Sequence, residues 1–197
     1  SELRLNALRV QDLNALQRLK LSGLDIAETG VTDISALKGM PLGHLDISRT
    51  AVTDLRPLVG KPLTTSLTAL FLANTKITNL EPIRFFPLQN LDLRETPVTD
   101  LNPLRGLSLV ALSLYKTKVS DLSPLRGMPL NGWVNLGETE ISDLRPLEGM
   151  RIRQLLLNGT KVSDLSPLRG MPLEFLELRD CLQLEDLTPL QDCLRLE

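Results

Sequence analysis

Residues that carry chemistry are scarce in this chain. Of 197 residues one is a histidine, two are cysteines, and the aromatic rings come from one Trp, one Tyr and four Phe. No Cys-x-x-Cys, His-Glu-x-x-His, glycine-rich phosphate loop or Gly-x-Ser-x-Gly elbow occurs, so no cofactor is expected. His44 falls at a surface-facing strand position, and no second feature supports a hydrolytic triad around it. Lys and Arg form no run, and the net charge is -2. That balance argues against a polyanion binder, so nucleic acid is not an expected partner. No stretch approaches the ~20 apolar residues that span a bilayer, which argues against membrane insertion.

What the chain has in abundance is itself. Leu122-Ser123-Pro124-Leu125-Arg126-Gly127-Met128-Pro129-Leu130 returns as Leu165-Ser166-Pro167-Leu168-Arg169-Gly170-Met171-Pro172-Leu173. An acid column marks the period: Asp12, Asp33, Asp54, Asn79, Asp100, Asp121, Asp143, Asp164 and Asp186, at intervals of 21 to 25 residues. Nine units follow. An apolar-variable-apolar word precedes most of the acids, as in Leu91-Asp92-Leu93 and Leu112-Ser113-Leu114, and this alternation is the period of a half-buried strand. Self-similarity at this period means a solenoid.

The acid stands directly ahead of Leu-x-Pro-Leu. A carboxylate accepts from exposed amides at a helix start, and Pro is tolerated in a first turn. Each unit therefore predicts a strand on one side and a capped 3₁₀ turn on the other. Calcium is the rival reading of the acid column, but capping accounts for every member, including Asn79. One coil contributes about six aliphatic side chains at roughly 2 kcal/mol each. Ordering its backbone costs on the order of 20–40 kcal/mol, so a coil is stable only when stacked.

The unit L-x-x-L-x-L-x-x-T-x-V-[ST]-D-L-x-P-L-x-G-x-P resembles the leucine-rich repeat family, in particular the short bacterial, internalin-like D-L-S-P-L subtype. The match covers residues 1–197 as one domain. The resemblance implies an α/β repeat solenoid, a right-handed superhelix with a concave parallel β-sheet and short 3₁₀ turns on its convex side. It implies a non-enzymatic module that binds a protein or peptide, and a block that sits within a longer protein. The family places Asn or Cys at the ninth repeat position, in an internal hydrogen-bond ladder. Here that column reads Thr29, Thr50, Thr75, Thr96, Thr117, Thr139 and Thr160, then Cys181. A hydroxyl both donates and accepts, so a ladder remains open to it. Cys193 falls on the opposite side of a coil from Cys181, too far for a disulfide, and two buried thiols are expected.

Function is expected on the outward strand positions. Four of the six aromatics land there: Phe71, Tyr115, Trp133 and Phe175. An aliphatic core did not require them, and large apolar groups facing water mark interaction surfaces. Trp133, Leu156 and Phe175 fall on successive coils and form the expected anchor patch, rimmed by Asn135, Gln154, Glu177 and Arg179. Asp25, Asp46 and Asp92 make the first half of this face acidic, with Phe71 as an island and His44 beside them; a solvated acidic face is the first expectation there, and docking of a basic partner segment the second. The four extra residues at Leu63–Ser66 predict an edge bulge, with Phe85 and Phe86 filling space beside it. Two other readings compete: a rigid spacer or sensor arm of a larger signalling protein, and an enzyme, for which no site is found. Apolar coil faces at both ends predict end-to-end association.

Overall fold

The computed structural model describes residues 1–196. Nine three-residue strands run in chain order in one parallel sheet: β1 (Glu2–Arg4), β2 (Gly23–Asp25), β3 (His44–Asp46), β4 (Ala69–Phe71), β5 (Asn90–Asp92), β6 (Ala111–Ser113), β7 (Trp133–Asn135), β8 (Gln154–Leu156) and β9 (Phe175–Glu177). The central residue of each points inward, and Leu45, Leu70, Leu112, Val134 and Leu155 are fully buried. Registers align residue by residue, so Leu24, Leu45, Leu70, Leu91 and Leu112 stack in one row. A single aliphatic core runs the length of the coil. This is the leucine-rich-repeat architecture that the sequence predicts.

The acid column does the same thing in all nine units. Its Oδ1 accepts from the backbone amide two residues on, at 2.7–2.9 Å, from Asp12 through Asn79 to Asp186. A 3₁₀ turn starts at that amide, as at Ser123–Leu125 and Ser166–Leu168. The same hydrogen bond lowers the carboxyl pKa of Asp33 and Asp121. For Asp54 and Asp143 the side chains of Arg56 and Arg145 are the larger cause.

The next bend depends on one residue. Six glycines, among them Gly127, follow the 3₁₀ turn with φ of 66° to 122°. The residue before each has ψ of 124° to 132°. That pair of angles is a type II turn, which requires positive φ at its third position. Where the chain has Arg18 or Phe85 instead, the preceding ψ is -26° or -20°, and the bend is type I. Phe85 is consequently turned outward and 76% exposed, with the Arg84 guanidinium 4.9 Å from its ring centroid. Only Phe86 fills space as expected, at 2% exposure. The added segment is not a loose bulge: it is one helical turn, α1 (Leu63–Ser66), with Leu63 buried and Ser66 donating to the Leu42 carbonyl at 2.7 Å.

The threonine column does not make the inter-coil ladder. Each Oγ1 donates to the carbonyl three residues back in its own coil, Thr117 to Leu114 at 2.7 Å and Thr139 to Leu136 at 2.6 Å. The column's one step between coils is at its end, where Cys181 Sγ lies 3.1 Å from the Leu157 carbonyl and 3.6 Å from Thr160 Oγ1. Both cysteines are buried and free, and burial pushes the Cys193 thiol pKa up. The residue before each threonine, such as Arg49, Glu95 or Lys116, holds a positive φ near 55°. Its N–H then donates to the next coil, Glu95 to Tyr115 at 2.8 Å and Lys116 to Gly137 at 3.0 Å, and this bond offsets the strain.

Candidate functional site on the concave sheet

Two rows of side chains cover the open face of the sheet. The first runs Glu2, Gly23, His44, Ala69, Asn90 and Ala111, and then, from β7 on, Trp133, Gln154 and Phe175. The second runs Arg4, Asp25, Asp46, Phe71, Asp92, Ser113, Asn135, Leu156 and Glu177. Tyr115 and Arg179 stand two residues beyond their strands, at the exit edge. Trp133 and Phe175 therefore share a row with Gln154 between them, and Leu156 lies in the other row.

Several second-row residues have structural work. Asp25, Asp46, Asp92 and Asn135 each accept the amide two residues on, at 2.8–3.0 Å. Asn135 is 8% exposed, so it is part of the sheet's exit turn and not of a polar rim. Asp92 is also held by Arg94 through Nε at 2.8 Å and a terminal nitrogen at 2.6 Å. Between Asp92 and Asn135 lies Ser113, fully buried, whose Oγ has no hydrogen-bond partner among the described residues.

The aromatics do not form one patch. Phe175 is exposed and Trp133 half-buried. Phe71 packs on His44, ring centroids 5.0 Å apart and tilted by 41°. Phe71 and Trp133 wall opposite sides of a cavity of about 190 Å³ on the concave face, floored by Asn90, Leu91, Ala111 and Leu112 and edged by Asp92 and Arg94. Neither Leu156 nor Phe175 lines it. Beside the one-residue insertion at Asn131-Gly132, β6 and β7 keep two register pairs where their neighbours keep three. Ala111 leaves the floor low. Sequence periodicity put Asn90, Asp92 and Ala111 on this face, but carried no signal grouping them with Trp133. Among the described residues no cluster of acids, histidine and cysteines could hold a metal.

Solved structures with this fold include internalin C2 of Listeria monocytogenes, 33% identical, with a TM-score of 0.80 over 89% of this chain and 78% of that one. The chain belongs to the bacterial internalin-like leucine-rich-repeat family. The internalin InlF of the same organism is 22% identical, with a TM-score of 0.63 over 100% of this chain and 72% of that one. A leucine-rich-repeat protein of Leptospira interrogans is 17% identical, with a TM-score of 0.63 over 98% of this chain and 64% of that one. No family model and no curated protein sequence matches. The internalin-like fold is that of a protein-interaction module. Among the described residues no helix is long and apolar enough to cross a membrane.

Proposed function

We propose that this internalin-like chain recognises a protein or peptide on its concave sheet, and that the Phe71–Trp133 cavity is the centre of the contact. One observation carries the reading. Two large rings, Phe71 and Trp133, line the same open concave space of about 190 Å³. Its volume is of the order of one large side chain, since a cavity of roughly 150 Å³ holds a benzene ring, and its open mouth gives a partner's side chain access. Trp and Tyr anchors of this kind dominate binding energy when a partner desolvates them. Phe175, Leu156, Gln154, Glu177 and Arg179 then form the outlying half of the contact, and Tyr115 its edge.

The reading is tested by panning a random peptide library on the chain and re-measuring recovered peptides on three variants. Phe71→Ala and Trp133→Ala remove the walls, while Ala111→Leu fills the space without removing a contact. Binding should weaken at least about tenfold in each, with circular dichroism unchanged. Retention of the same peptides by all three variants would overturn the concave-cavity reading and favour a spacer with no ligand of its own.

A further inference from the structure

The charges around the cavity are unevenly satisfied, and this specifies the partner further. Three acid–base pairs span neighbouring positions on the face: Glu2 with Arg4 at 3.7 Å, Asp92 with Arg94 at 2.6 Å, and Glu177 with Arg179 at 3.3 Å. Asp25 and Asp46 break that pattern. They sit side by side on β2 and β3 in one row, and each uses Oδ1 for an amide, of Ala27 and Ser48. The second oxygen of each has no hydrogen bond or ion pair to any described residue. Arg4 stands beside Asp25 in the same row but is paired with Glu2, and Arg49 at the edge is engaged by Glu28. Beside Asp25 lies a recess of about 300 Å³ lined by Gly23, His44 and the paired Glu2 and Arg4, with the Glu2 side chain packed over Gly23.

We infer that the partner segment presents one bulky apolar side chain to the Phe71–Trp133 cavity and basic side chains to Asp25 and Asp46. This rests on the concave reading above and adds the partner's chemistry to it. Two free carboxylates on a concave, partly desolvated face attract cations more strongly than exposed ones. Spacing follows from the sheet. Strands lie about 4.8 Å apart, so Asp46 and Asp25 stand roughly 10 and 15 Å from Asp92 at the cavity edge. An extended segment crossing the strands rises about 3.3 Å per residue, which separates the basic residues from the apolar one by about three to five positions.

Trp133 is the only tryptophan and lines the cavity, so its emission reports occupancy directly. The probes are acetylated, amidated nonapeptides with one phenylalanine and two lysines four and five positions before it, and the same peptide in reverse order. Serine and glutamate versions replace the lysines. One lysine peptide should shift Trp133 emission and bind about fivefold tighter than its serine version, and the glutamate version should bind weakest. Asp25→Asn with Asp46→Asn keeps the amide-accepting oxygens, and should bring the lysine peptide down to the serine level without altering the serine peptide. If the serine peptide binds as tightly as the lysine one, the basic-partner inference falls and the cavity reading stands. If no peptide shifts the emission, the inference falls as well, and library panning decides the cavity reading separately.

Discussion

Ser113 is the residue that the internal logic of the coil does not explain. Its hydroxyl is fully buried on the sheet face with no partner among the described residues, and an unsatisfied buried polar group costs about 1–3 kcal/mol. Ser113→Ala should therefore raise stability by about 1 kcal/mol, read as a higher urea midpoint at unchanged m-value. The aspartates of the turn column give a second expectation. Hydrogen bonds hold the carboxyls of Asp33, Asp121, Asp164 and Asp186 below their ordinary value. The unfolded chain then takes up protons first on acidification. Stability from these groups is complete above about pH 4 and is lost as the pH falls through their lowered folded-state values. Asp121→Asn retains an oxygen acceptor, as Asn79 does naturally, and should flatten the pH dependence of the melting temperature below pH 4. An unaltered slope would show that the column does not govern acid sensitivity.

At the scale of the element, one position decides between two bends. Gly127 has a φ of 75° and open space where a Cβ would stand. Gly127→Ala meets no clash, so its cost is conformational, about 1–2 kcal/mol. Its relief route is the type I bend that Phe85 and Arg18 use. Phe85→Gly should be tolerated in folding, because its side chain is mostly exposed and glycine populates either bend. Thermal melts of the two variants check this: a fall for Gly127→Ala beside little change for Phe85→Gly. The glycine column was legible in the sequence as a turn. That Phe85 would face water was not legible, because its side-chain direction depends on which bend the backbone takes.

At the scale of the molecule, each coil touches only its neighbours, and stability is a sum of coil and interface terms. Leu112 is fully buried midway along the stack, and Leu112→Ala should cost about 2–5 kcal/mol. Hydrogen exchange should be slowest in the coils of β4 to β6 and fastest at β1 and β9. In Leu112→Ala the loss of protection should concentrate at β5 to β7. Uniform loss along all nine strands would mean that the stack melts as one unit.

The period, the nine strands, the acid caps and the aliphatic core were all legible along the chain. Those follow from local chemistry repeated in register: Leu alternation, Asp before Leu-x-Pro-Leu, and glycine after it. Packing between coils set what the repeat leaves free. It kept the threonine hydroxyls within their own coils, made Asn135 a turn acceptor and set Trp133 across a cavity from Phe71. It also left Asp25 and Asp46 as carboxylates of the sheet face without an ion pair among the described residues. These outcomes depend on side chains from different coils meeting across a stack, at distances that a pattern read along one strand does not contain.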